Sequence, residues 1–214
     1  MMPDGSTLYC WCAIRRYYGN KSREWRGASH RLGSIYIGKT FDDYELRGSN
    51  EDRARNQRAI EMMQAWVIDP RHNIVLAGTP GSGKTLLAAI AHQALNVPSI
   101  WLGVTRLLED IKRDWNQRAG WWDRTVDLYR EVPVLFLDDI GEGGIEFTDA
   151  MQAALKSIVD HRSQEQLPTV VTTNKTATEL IDLAPRLSSR LLERWGSEKV
   201  LYDLIAPDAR PLAK

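Results

Sequence analysis

Asn73-Ile74-Val75-Leu76-Ala77-Gly78-Thr79-Pro80-Gly81-Ser82-Gly83-Lys84-Thr85 decides the fold. The first five residues read as a short, buried strand, and the chain then passes without a linker into a complete G-x-x-x-x-G-K-[ST] string, with a helix expected to open near Gly83. Glycines at Gly78, Gly81 and Gly83 let backbone N–H groups turn inward around phosphate oxygens, and the helix N-terminus adds positive dipole. Thr79, Pro80 and Ser82 complete the loop. Lys84 reaches the β/γ-phosphates of a nucleotide, and the Thr85 hydroxyl is placed for Mg²⁺.

Downstream, Val134-Leu135-Phe136-Leu137-Asp138-Asp139 is a second apolar run, ending in two carboxylates 54 residues after Lys84. In a parallel sheet the strand ends share one crevice, so these acids face the phosphate loop. Asp138 is the expected Mg²⁺ ligand, through water, and Asp139 the group that orients and polarises an attacking water. A third run, Thr169 to Thr173, leads to Asn174. That residue suits either contact with the γ-phosphate or the attacking water, or a turn or N-cap ahead of a helix over Thr176–Leu180. Arg186 and Arg190 lie four apart on a helix face and are either solvated or available to phosphate charge.

Further strands are expected at Ser99–Val104 and Lys199–Tyr202, and helices at Asn50–Ile68, with Asn50 as its cap, Arg106–Arg118 and Thr148–Arg162. Apolar strands alternating with amphipathic helices make an α/β fold, a parallel sheet with helices on both faces.

The 214 residues hold 28 basic and 28 acidic side chains, 43% hydrophobic and 26% charged. That composition excludes a disordered chain, a disulfide scaffold or a protein that coats nucleic acid by bulk charge. The charge is uneven: residues 1–40 carry seven basic and two acidic groups, a basic N-terminal arm ahead of a mildly acidic body. The arm lacks a clean period and is expected to depend on the body or a partner for order. Only Cys10 and Cys12 are present, which suits a reducing, cytoplasmic compartment. No membrane span or export signal is read, and His72, His92 and His161 have no metal-ligand spacing.

These motifs in this order resemble the AAA+ ATPases of the DnaC/DnaI helicase-loader and IstB group. The resemblance runs from about Thr40 to the C-terminus and is sharpened by Thr40-Phe41-Asp42-Asp43-Tyr44, Leu137-Asp138-Asp139-Ile140-Gly141, Leu167-Pro168-Thr169 and Asp208-Ala209-Arg210. It implies a basic, partner-binding arm over 1–40 and an AAA+ ATPase domain over 41–214 that lacks the C-terminal helical lid. It implies ATP and Mg²⁺ as cofactors, Asn174 as a sensor, and head-to-tail assembly in which Arg190 is the arginine finger for a neighbour's ATP, with Arg186 supporting it.

The implied work is loading a replicative helicase onto single-stranded DNA. The alternatives are an IstB-like helper acting with a transposase on duplex DNA, and an adaptor gated by nucleotide without hydrolysis. Most AAA+ enzymes place Glu where Asp139 stands, although Asp occurs among the loaders, and the shorter carboxylate is expected to leave hydrolysis slow. Cys10-Trp11-Cys12 resembles the remnant of a zinc module whose other ligands are absent. Residues 106–131 occupy the place of an extra helix used by initiator-type relatives for assembly and single-strand binding, where Lys112, Arg113, Arg118, Arg124, Trp121 and Trp122 could stack on bases and contact phosphates. Leu107, Leu108, Ile111 and Trp115 are expected to face the core.

Overall fold

The structure, a computed structural model, describes residues 24–25, 29, 31–107, 121–141, 149–183, 185–193 and 200–208. The strands are β1 (Ile74–Gly78), β2 (Ser99–Gly103), β3 (Val134–Asp138), β4 (Thr169–Thr173) and β5 (Leu201–Leu204). The described α-helices are α1 (Asn50–Ile68), α2 (Lys84–Ala94), α3 (Trp121–Glu131), α4 (Asp149–Gln164), α5 (Ala177–Leu183) and α6 (Pro185–Leu191). The last strand begins later than the expected Lys199 and runs on to Leu204, while the expected helix at Arg106–Arg118 falls almost wholly outside the described residues.

All pairings are parallel, in the order β2-β3-β4-β1-β5. The phosphate-loop strand β1 is therefore flanked by β4 and β5. Because strand side chains alternate, each strand feeds two cores. Val75, Ile100, Leu102, Leu135, Leu137 and Val171 meet α3, α4, α5 and α6 on one face. Ile74, Leu76, Trp101, Val134, Phe136 and Val170 meet α1 and α2 on the other. Each such side chain contributes roughly 1.5–3 kcal/mol by leaving water, which is why the strands read as unbroken apolar runs. Leu107 is buried in the first of these cores.

The cap of α1 is Ser49, not Asn50. The Ser49 hydroxyl accepts from the Asp52 N–H at 3.2 Å, and the Asp52 carboxylate accepts from the Ser49 N–H at 3.0 Å. This reciprocal box satisfies two end groups that Asn50 alone would leave to water. Ahead of residue 40 the chain leans on the body. Trp25 is buried in the first core, and the Ser29 hydroxyl accepts from the N–H of Trp101 on edge strand β2 at 2.9 Å.

The N-terminal ends of β3 and β4 are joined by a buried cation. Arg162, in the last turn of α4, donates to the carbonyls of Val132 and Pro168, each at 2.6 Å, to that of Tyr129 at 3.0 Å and to the Thr169 hydroxyl at 3.0 Å. Burial pulls its pKa down to about 9, so it remains charged at neutral pH. Asn73 adds a second tie. Its side chain accepts from the Thr169 N–H at 2.9 Å and donates to the Arg190 carbonyl at 3.1 Å.

Candidate nucleotide-binding site

The strand, loop and helix from Ile74 to Ala94 are continuous, so the phosphate loop is held at both ends by buried structure. Thr79 and Pro80 are exposed at its crest, whereas Ser82 and Lys84 are buried. The Lys84 ammonium donates to the carbonyls of Gly78 at 2.9 Å and Thr79 at 2.7 Å, and to the Ser82 hydroxyl at 3.4 Å. The cation thus lies inside the loop that its own chain draws around it. Gly83 takes φ 96° and serves as the N-cap of α2. A side chain there would overlap the Tyr44 hydroxyl and stand 2.8 Å from Tyr44 Cζ.

Tyr44 braces the loop from behind, donating its hydroxyl proton to the Ser82 carbonyl at 2.9 Å. Burial pushes that phenol up to about 12, against the opposing charge of Arg47, so it stays a donor. The other flank is formed by the chain after β5. The Asn56 side chain both donates to the Ile205 carbonyl at 3.1 Å and accepts from its N–H at 3.2 Å. Asp208 then lies so close to Gly81 that a methyl group on that glycine would overlap its carboxylate.

Across the crevice, the register carries Asp138 beside Thr172. Asp138 Oδ1 accepts from the Thr85 hydroxyl at 3.1 Å and from the Thr172 hydroxyl at 2.7 Å. Burial raises its pKa, while those two hydroxyls and the Lys84 ammonium act to lower it. Asp139 has φ 69°, a left-handed conformation in a residue with a side chain. Its N–H donates to the Thr172 hydroxyl at 2.8 Å. The donor set of Thr85 and Asp138 is hard oxygen, as magnesium requires. Among the described residues no cluster of three or more His, Cys, Asp or Glu offers an all-protein cage.

A family model described as "IstB-like ATP binding protein" matches residues 20–194. The chain belongs to the IstB-like ATP-binding family. Three solved structures show where the family's fold recurs. DnaI aligns with a TM-score of 0.64 at 21% identity, over 84% of this chain and 94% of its own. The DnaC helicase loader aligns at 0.62 and 22%, over 81% and 100%. The replication initiator DnaA, bound to AMPPCP and single-stranded DNA, aligns at 0.64 and 17%, over 82% and 51%. A search of curated proteins found no match. The five-stranded parallel sheet is thus the P-loop AAA+ sheet of the DnaC/DnaI type, and the IstB-like chain is a nucleotide-binding protein by family.

The structure brings Gly78 to Thr85, Asp138 and Asp139 into one crevice, with Asn174 one residue beyond the end of β4. Asn174 does not cap α5. The Thr176 hydroxyl accepts from the Glu179 N–H at 3.2 Å, and the Glu179 carboxylate accepts from the Thr176 N–H at 2.8 Å. Arg190 is placed elsewhere. Its carbonyl is tied to Asn73, which precedes β1, whereas the phosphate loop follows β1, about 16 Å further along a five-residue strand. Its guanidinium pairs with Asp160 at 3.3 Å and Glu193 at 3.5 Å on the surface of its own subunit. Arg186 is exposed one turn earlier.

Cys10, Cys12, Lys112, Arg113, Trp115 and Arg118 lie outside the described residues, as do the side chains of Trp121, Trp122 and Arg124. His92 packs edge-on against Phe136 with ring centres 5.1 Å apart. Its Nδ1 lies 2.9 Å from the Ser99 hydroxyl. Sequence reasoning passed over Tyr44, Asn56, Thr172 and Asp208 as parts of the site. The motifs that contain Tyr44 and Asp208 and the polar end of β4 gave a sign of three of them, and Asn56 had none.

Proposed function

We propose that this IstB-like protein binds ATP with Mg²⁺, hydrolyses it slowly, and uses the cycle to load a replicative helicase onto single-stranded DNA. The observation that carries the nucleotide chemistry is the junction of Thr85, Asp138 and Thr172 beside the buried Lys84. It joins a phosphate-binding loop to the Asp138 carboxylate and the Asp139 backbone through hydroxyls. Magnesium, when bound by Thr85 and Asp138, supplies charge neutralisation for the phosphates. Lys84 exchanges loop carbonyls for phosphate oxygens. Asp139 holds the attacking water and accepts its proton as the water oxygen bonds to the γ-phosphorus and the bond to the ADP oxygen breaks, giving ADP and phosphate. Asn174 orients the same water or the γ-phosphate.

Arg190 serves the site of a neighbouring subunit in a head-to-tail assembly, with Arg186 beside it. This is supported by its place at the end of the sheet remote from its own phosphate loop. The loader role is supported by the likeness to DnaI and DnaC, and single-stranded DNA as a partner by the likeness to DnaA. Residues 1–40 then form the arm that meets the helicase, and 41–214 the ATPase domain. Cytoplasmic work fits: among the described residues no helix is long and apolar enough to cross a membrane. The family match favours one second reading, a helper that acts with a transposase.

The test is a pull-down from cell extract with the wild-type chain and with Lys84→Ala, each with ATP, scored by mass spectrometry. Nucleotide-dependent capture of a hexameric helicase is expected from the wild type alone. Capture of a transposase instead would move the protein to the second reading.

A further inference from the structure

Thr172 occupies the middle strand of the site. It pairs with Leu76 of β1 on one side and, one residue past the Leu137–Val171 pair, faces Asp138 of β3 on the other. It is only 2% exposed, so its hydroxyl must be satisfied by protein. A hydroxyl has one proton and spare lone pairs. Here the proton goes to Asp138 Oδ1 at 2.7 Å, which leaves a lone pair for the Asp139 N–H at 2.8 Å. One side chain thereby holds the carboxylate of the first acid and the backbone of the second.

The hold on Asp139 matters because its left-handed φ is costly for a residue with a Cβ. Such a conformation persists only where its surroundings over-determine it. They do so here through β4. The Ile140 N–H donates to the Thr172 carbonyl at 2.9 Å, and the Thr173 hydroxyl donates to the Ile140 carbonyl at 2.7 Å. The direction in which Asp139 leaves its strand is therefore set by the neighbouring strand, two residues before Asn174.

We propose that Thr172 is a positioning residue that fixes both acids of the site, Asp138 through its carboxylate and Asp139 through the left-handed turn, and locks them in register with Asn174. This rests on the reading of the site as an ATPase. An ordinary structural threonine would be replaceable by valine, which has the same shape and an equal preference for strands. A positioning hydroxyl is replaceable only by serine.

The experiment compares wild type, Thr172→Val and Thr172→Ser, with thermal unfolding as a check on folding. Two quantities are read: the Mg²⁺ concentration for half-maximal binding of a fluorescent ADP analogue, and kcat and KM for ATP hydrolysis. Thr172→Val is expected to raise the Mg²⁺ half-point and to lower kcat about tenfold to a hundredfold, the scale of a misplaced reacting group, with little change in KM. Thr172→Ser is expected to restore both. A valine variant that matches wild type in both quantities overturns the proposal, as does a folded serine variant that restores neither. Wild-type protein that binds nucleotide but never turns it over overturns the ATPase reading alone, and the Mg²⁺ half-point then decides the role of Thr172.

Discussion

Two buried cations lie at opposite ends of the sheet, and both rest on main-chain carbonyls and a hydroxyl. Lys84, at the C-terminal end of β1, is a point charge whose ammonium rests on two loop carbonyls and a hydroxyl. Arg162, at the N-terminal ends of β3 and β4, is a planar fork with five donors, answered by carbonyls from two chain turns and by Thr169. A compact ammonium on a flexible stem can give up carbonyls for phosphate. A guanidinium with its donors saturated has nothing left to offer a ligand. Burial of a charge on main-chain carbonyls therefore marks function at one end and architecture at the other. What separates the two is whether the acceptors belong to a loop shaped for an anion or to the turns that close a core.

The strongest way to test this division is Arg190, because it lies at the architectural end yet is assigned to chemistry. Arg190→Ala should bind ATP normally but hydrolyse it about 10³–10⁵-fold more slowly. Mixing it with Asp139→Asn should restore turnover at interfaces that pair an intact carboxylate with an intact finger. Steady-state rates equal to the sum of the two variants, with assembly intact, would return Arg190 to an ordinary surface arginine paired with Asp160.

Next in size is Arg162→Met, which leaves several buried carbonyls without a donor. It is expected to cost about 3 kcal/mol or more, measured by urea unfolding, while any protein that remains folded binds ATP with unchanged affinity. Lys84→Ala should do the reverse: lose roughly 1.5–3 kcal/mol of ATP binding in a titration, with its unfolding midpoint unchanged. If both variants lose stability and binding together, the two ends are not separable.

The most gradual effect concerns His92, whose pKa burial lowers to about 4 from its ordinary 6.5. Between those values the unfolded chain takes up a proton that the folded one refuses. Stability contributed by the neutral ring is thus complete above about pH 6.5 and is lost as pH falls toward 4, at up to about 1.4 kcal/mol per pH unit. In His92→Gln the slope of unfolding free energy over that window should flatten.

The sheet and the phosphate loop were readable because apolar strands buried on both faces leave unbroken hydrophobic runs, and because a glycine-rich turn before a lysine has few other uses. That Asp138 faces the phosphate loop followed from parallel topology, whereas the strand order and the Thr85–Asp138 hydrogen bond were visible only in the structure. Thr172 was hidden for a physical reason. A threonine in a strand satisfies β preference whatever its hydroxyl does, so only the neighbour in register shows its role. Arg162 was hidden by its position at the end of a helix, where arginines usually meet water. Ser49 took the cap from Asn50 because the deciding partner, Asp52, lies three residues on. The cap reading of Asn174 fell because Thr176, two residues on, caps α5.

The contact between Thr79 and Ala206 spans 127 residues of chain, and the clamp of Asn56 on Ile205 spans 149. Closing such long loops is slow, and a chain made from its N-terminus can do so only after Ile205 and Ala206 have emerged. The wall of the nucleotide pocket therefore forms well after β1 and its glycine loop have been made. A nascent chain with β1 and its glycine loop already made still lacks β5, the inner strand's second neighbour. Nucleotide that binds against this wall favours chains in which β5 is in place. Shortage of ATP would then be felt as a larger pool of chains in which β5 is poorly held.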